Sequence, residues 1–193
     1  YPNEVYELMK STKGHLIRGN KENYLVELHV SSRSMWTHIQ FAALYWSYDE
    51  FLEDHLFDLI NLPEDMTLID IESNKEIYIT HNISKTLKET TLDDLTSFNY
   101  STDYDKKVFS HDDYLKEVHN CLNNDHLLEL KLNKKSPDIY IFGHTHLQWH
   151  AKAYNKVFIN PGSCGKPLDY ETDAPYTILD LGNDKMEIEE VRV

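Results

Sequence analysis

The run Ile139-Tyr140-Ile141-Phe142 is continuous in its apolar character, opens on Pro137-Asp138 and ends at Gly143-His144-Thr145-His146. A run this short and this apolar reads as a buried strand of a layered α/β domain. Strand ends of that kind are where layered α/β folds place ligand sites. Gly143 frees the backbone, and His144 and His146 leave from the turn. In extended geometry residues two apart face the same way, so both imidazoles can converge on a metal. A bare HxH would read equally well as a pair of loop histidines facing water; the preceding strand is what tips the balance.

The rest of the chain fits a layered α/β domain. Asn3 reads as the N-cap of a short helix through Met9. Residues 14–18 read as a short buried strand and residues 22–28 as a helical turn. Helices are expected over 34–45 and, from the spacing of Phe51, Leu52, His55, Leu56, Leu59 and Ile60, over 48–60. Residues 67–71 and 76–80 suggest a hairpin turning at Ser73-Asn74-Lys75. Residues 82–109 read as a long polar loop with some helix. The stripe Tyr114, Leu115, Val118, Leu122 marks an amphipathic helix over 112–122. Strands follow over 149–154, 157–159, 176–181 and 186–193.

Three further positions share the pattern of a polar residue closing an apolar strand. They are Asn20 after Gly19, His81 after residues 77–80, and Asn160-Pro161-Gly162-Ser163 after residues 157–159. Taken alone, Asn20 is a helix cap, His81 a loop residue and Pro161-Gly162 a turn. Gly162-Ser163-Cys164-Gly165 lacks nucleophile-elbow spacing, so neither Ser163 nor Cys164 is expected to be a nucleophile.

Taken in order, these blocks resemble the calcineurin-like metallophosphoesterases, in particular a small bacterial branch. Gly19-Asn20-Lys21-Glu22 is similar to the family's GNH[D/E] block, Thr80-His81 to its single-His block, and Gly143-His144-Thr145-His146 to its GHxH block. Asn160-Pro161-Gly162-Ser163 resembles the NPGS turn of that branch. The resemblance implies an α/β/β/α sandwich of two mixed sheets flanked by helices. It places one domain over residues 1–193, with residues 33–62, including Trp36 and Trp46, as a helical cap insertion. It implies two divalent metal ions (Mn, Fe, Zn or Ni), with Asn20, His81 and His144 on one and His146 on the other. A bridging hydroxide would attack phosphorus in line, with His144 catalytic and Asn160 near the substrate. Lys21 stands where the family has histidine; it can hold a phosphate as a point charge but is a poor acid at neutral pH. The opening DxH and GD blocks have no counterpart here, so an N-terminal βαβ segment is the expectation.

The implied activity is phosphodiester or phosphomonoester hydrolysis, with nucleotides among the candidate small-molecule substrates. A catalytically inactive protein-binding module on the same fold and a mononuclear zinc protein are the alternatives. The net charge of −14 argues against general nucleic-acid binding. It leaves a phosphate substrate open, since bound cations reverse the sign locally. Two cysteines, Cys121 and Cys164, form no disulfide framework and no CxxC motif. No apolar run is long enough to span a membrane. A cytoplasmic protein in a reducing compartment is the expectation.

Overall fold

The computed structural model describes residues 1–30, 41–83, 87–88, 90, 92, 111–132, 136–169, 173–182 and 185–193. They form two compact units, Tyr1–Asp65 and Met66–Val193.

The first unit is helical: α1 (Pro2–Ser11), α2 (Asn20–Val30), α3 (Ala42–Glu50) and α4 (Glu53–Ile60). Leu25, Leu28, Leu44 and Leu56 form its core, with Tyr24, Phe41, Tyr45, Tyr48, Phe51 and Ile60 packed around them. Asn3 is not the cap of α1; Tyr1 holds that position ahead of Pro2. The Asn3 amide instead reaches the junction of α3 and α4. Its Nδ2 donates to the Glu50 carbonyl at 2.8 Å and its Oδ1 accepts the Leu52 N–H at 2.9 Å.

That junction is where the helix expected over 48–60 breaks. Phe51 and Leu52 are extended, with ψ of 136° and 144°. Apolar spacing alone could not show the break, because the Leu52 N–H finds its acceptor 49 residues away. Glu53 and Asp54 then open α4, where the helix dipole favours acidic groups.

Residues 14–18 are not a strand either. Arg18 donates its N–H to the Pro63 carbonyl at 2.9 Å and its guanidinium to the Ile60 carbonyl and Glu64, each at 2.8 Å. The segment is fastened beyond the end of α4 through one backbone bond and the Arg18 side chain rather than a ladder.

The second unit is built on a five-stranded sheet in the order β1-β2-β3-β5-β4. Its strands are β1 (Asp65–Ile69, beginning on the last residue of the first unit), β2 (Glu76–Thr80), β3 (Ile139–Phe142), β4 (Gln148–Ala153) and β5 (Lys156–Pro161). β2, β3 and β5 are parallel, and β4 runs antiparallel to β5. Between β1 and β2 the chain turns at residues 70–75 as expected: Asn74 is left-handed at φ 53° and Asp70 accepts the Ser73 N–H at 2.7 Å.

β3 explains why its residues are apolar without interruption. Tyr140 and Phe142 join a core with Trp149, Phe158 and the helices α5 (His111–Asn124) and α6 (His126–Leu132), through Tyr114, Val118, Leu122, Leu128 and Leu132. Ile139 and Ile141 sit in the other cluster, with Val157, Ile159, Leu179 and Ile188. The latter two come from β6 (Pro175–Asp180) and β7 (Glu187–Arg192), an antiparallel pair forming a second sheet. The layers are thus helix, mixed sheet, antiparallel sheet. Among the described residues the second sheet has two strands and is not mixed. Most of residues 82–109 and 31–40, where the long loop, Trp36 and the start of the 34–45 helix were expected, lie outside the described residues.

Candidate metal centre

The parallel register brings two distant blocks to one edge. Thr80 of β2 pairs with Phe142 of β3, so His81 and Gly143 leave neighbouring strand ends together, and the Gly143 N–H donates to the His81 carbonyl at 3.1 Å. The His81 and His144 rings meet edge to face, with centroids 5.3 Å apart and planes at 88°. Their facing nitrogens, His81 Nε2 and His144 Nδ1, are 3.3 Å apart.

The loop after β3 is not extended. His144 and His146 are both left-handed, at φ 71° and 62°, a backbone that costs non-glycine residues about 1–3 kcal/mol each. Gly143 is not demanded by conformation: a Cβ there would meet the His81 ring at an ordinary 3.6 Å. The turn is held from below by Asn160, which is fully buried. Its Nδ2 donates to the Gly143 carbonyl and to Thr145 Oγ1, both at 2.9 Å, and its Oδ1 accepts the Gly162 N–H at 3.1 Å. Asn160, expected near the substrate, therefore belongs to the framework. Its amide is engaged on both ends and has no path to solvent.

His146 is oriented by the loop after β5. Its Nδ1 lies 2.8 Å from the Lys166 carbonyl, and its own carbonyl accepts the Leu168 N–H at 3.2 Å. A carbonyl at Nδ1 fixes the proton there and leaves Nε2 as the basic nitrogen, the arrangement that orients metal-binding histidines. Gly162, at φ 83°, is required in that loop, because a Cβ would come within 2.6 Å of Pro175. Asp169 closes it. Its carboxylate accepts Arg192 Nη1 at 3.2 Å and the Gln148 N–H at 3.2 Å, with Nη2 of Arg192 also against it. Burial alone would raise the Asp169 pKa; the bonds to Arg192 and Gln148 outweigh it and hold the carboxyl below its ordinary value.

Electrostatics favours a neutral His81 ring. Burial above all, then the neighbouring His144 and His146, pushes the His81 pKa from 6.5 to about 4. A neutral imidazole is the form that ligates metal. Two nitrogens on one tetrahedral ion, each about 2.0–2.1 Å from it, lie roughly 3.4 Å apart, close to the 3.3 Å between His81 and His144. The pair therefore fits a shared cation. It is a partial donor set: among the described residues no group of three or more His, Cys, Asp or Glu has metal-holding geometry.

Asn20 and Lys21 lie in the helical unit. Asn20 is the first residue of α2, not its cap. Gly19 caps it, and Glu22 reaches back to the Gly19 N–H at 2.7 Å, half of a capping box. Lys21 Nζ sits 5.5 Å over the Tyr24 ring. Ser163 Oγ accepts the Lys166 N–H at 3.1 Å, a turn contact rather than a nucleophile's, and Cys164 is exposed.

The calcineurin-like phosphoesterase superfamily domain matches residues 2–184. The chain belongs to this superfamily. As a calcineurin-like phosphoesterase it shares its fold with a hypothetical protein of Pyrococcus horikoshii OT3, at 15% identity and a TM-score of 0.62, over 100% of this chain and 69% of that one. A metallophosphoesterase of Sphaerobacter thermophilus is similar at 16% identity and a TM-score of 0.59, over 98% of this chain and 71% of that one. The curated proteins give no match.

Within this phosphoesterase fold, the sequence pattern did not reveal Thr145, Asp169, Gln148 or Arg192. Their roles depend on where β4, β7 and the loop after β5 meet, and no spacing along the chain encodes that.

Proposed function

We propose that the chain carries part of the metal site of a phosphoester hydrolase acting on small-molecule phosphodiesters or phosphomonoesters, nucleotides included. The observation that carries this is the His81 Nε2–His144 Nδ1 approach at 3.3 Å, at the carboxyl ends of adjacent parallel strands. Bound divalent cations would supply charge stabilisation at the phosphate and an activated water. His81 and His144 would hold one cation, and His146 would reach the second through Nε2. Asn160 holds the loop that carries His144 and His146, and Asp169 holds the loop whose Lys166 carbonyl orients His146.

A catalytically inactive protein-binding module on the same fold is the second reading. What favours it is Lys21, which stands where the family has histidine. The two readings separate in one assay. The manganese-loaded protein should hydrolyse an activated aryl phosphodiester, and His144→Ala should abolish turnover with an unchanged circular-dichroism spectrum. Absence of hydrolysis across a broad panel of phosphoesters would leave the binding module standing.

A further inference from the structure

In the helical unit, α1 is docked by its polar side. Its apolar Val5, Leu8 and Met9 are 55%, 68% and 47% exposed, and of its residues Tyr6 alone is buried. Polar bonds fasten it instead. Tyr6 Oη donates to Asp58 Oδ2 of α4 at 2.6 Å, and Lys10 Nζ donates to the same oxygen at 2.6 Å. Asn3 and Glu7 meet His55 of α4, whose side chain is 12% exposed.

His55 lies between two acceptors. Its Nδ1 is 2.9 Å from Asn3 Oδ1, and its Nε2 is 2.6 Å from Glu7 Oε1. The Asn3 amide cannot turn its NH2 towards the ring, because Nδ2 donates to the Glu50 carbonyl and Oδ1 accepts the Leu52 N–H. A carboxylate likewise only accepts. A neutral imidazole has one N–H and would set a lone pair against one of these oxygens; the imidazolium satisfies both. With so little apolar burial behind α1, the loss of one such bond bears directly on whether the helix stays docked.

Val5, Tyr6 and Met9 of α1 also wall an apolar cavity, against Leu25, Leu44 and Phe51. We propose that protonated His55 latches α1 over this cavity, and that loss of the ring proton as pH rises frees the helix and uncovers the cavity. The latch is independent of the hydrolase reading.

Among the described residues, the other titratable groups at the cluster are Tyr6, Glu7 and Lys10 from α1 and Asp58 from α4. α3 and its junction with α4 supply the Glu50 carbonyl and the Leu52 N–H, which do not titrate. Burial raises the Tyr6 pKa and the bond to Asp58 raises that of Lys10, while the bonds from Lys10 and Tyr6 lower that of Asp58. All three move away from the neutral range in which an imidazole titrates. The latched form binds the extra proton, so the latch holds at low pH and weakens as pH rises. This is opposite in sign to the contribution of His81, whose lowered pKa favours the folded chain at high pH.

The test is amide hydrogen exchange of the whole chain in EDTA at about pH 5.5 and about pH 8.5, corrected for intrinsic base catalysis. Protection of the α1 amides should fall about fivefold between the two, and that of α5 in the other unit should not. His55→Gln should give low α1 protection at both. Tyr6→Phe removes the bond to Asp58 but leaves the ring, so it should lower α1 protection at both and keep the fivefold ratio. Long-range ¹H–¹⁵N spectra of the wild-type His55 ring should show protons on both nitrogens at the lower pH and on one at the higher. Emission of the neutral dye Nile red should rise with pH in the wild type and be high at both in His55→Gln. The latch is overturned if α1 protection is equal at the two pH values, follows pH in His55→Gln as in the wild type, or falls while the ring keeps its protonation state. Nile red emission that does not follow the release of α1 overturns the uncovering of the cavity.

Discussion

His81 and His144 are 63 residues apart along the chain, yet their facing ring nitrogens stand 3.3 Å from each other. The parallel pairing of β2 with β3 produces that approach, since Thr80 and Phe142 share a register position and the next residues on each strand leave the sheet together.

Replacing His144 separates ligation from folding. At φ 71° a glycine is relaxed where histidine is strained. His144→Gly should therefore leave the metal-free protein as stable as wild type or more so, by up to roughly 1 kcal/mol. Losing even an outer partner of a ligand costs about 10–100-fold in metal affinity, so loss of this ring should cost at least about 100-fold. Urea unfolding and zinc titration read the two effects independently. A large loss of stability would show that the ring is there for packing.

Asn160 makes the opposite prediction. Asn160→Ala would orphan the Gly143 carbonyl, Thr145 Oγ1 and the Gly162 N–H. At about 1–3 kcal/mol for a buried polar group left without its partner, the variant should lose roughly 2–4 kcal/mol in urea unfolding. A variant of wild-type stability and raised KM would return Asn160 to the substrate.

The pH dependence follows from His81. Its folded pKa, about 4, lies below the ordinary 6.5. Between those values the unfolded chain binds the proton and the folded one does not, so the metal-free protein loses stability as pH falls from about 6.5 towards 4. The loss should be on the order of 2 kcal/mol by pH 4.5. His81→Gln should remove that slope, leaving only carboxylates such as Asp169, whose contribution fades at lower pH. Urea midpoints at pH 7.5, 5.5 and 4.5 for both proteins measure it. Parallel curves would contradict the burial of a neutral ring.

Asp169→Ala would leave the Arg192 guanidinium partly buried without its carboxylate and free the Gln148 N–H. Breaking such a pair costs about 3–5 kcal/mol. The same change should loosen the loop that presents the Lys166 carbonyl to His146. Faster amide exchange at Leu168, whose N–H bonds the His146 carbonyl, would report this, and unchanged exchange would contradict it.

Much of the second unit was legible in the sequence because its signals are local. The apolar run 139–142, the stripe of α5 and the turn at 73–75 each declare themselves within a few residues. Gly143-His144-Thr145-His146 also marked the end of β3, although the two histidines are left-handed rather than extended. What stayed hidden depends on partners remote in the chain. Asn3 looked like a cap and is a tie to Glu50 and Leu52. Residues 14–18 looked like a strand because Leu16 and Ile17 are apolar, but Arg18 fastens them to residues 60–64. Asn160 was expected near the substrate from the resemblance of its NPGS turn; its three polar contacts are all internal to the turn it supports.

The central claim is that His81 Nε2 and His144 Nδ1 share a cation. Long-range ¹H–¹⁵N correlation spectra of the imidazoles during a zinc titration test it most directly. The expected result is a ligation shift at His81 Nε2 and His144 Nδ1, saturating together, with His146 protonated at Nδ1. Resonances of those two nitrogens that stay in place while zinc binds elsewhere, or not at all, would contradict it.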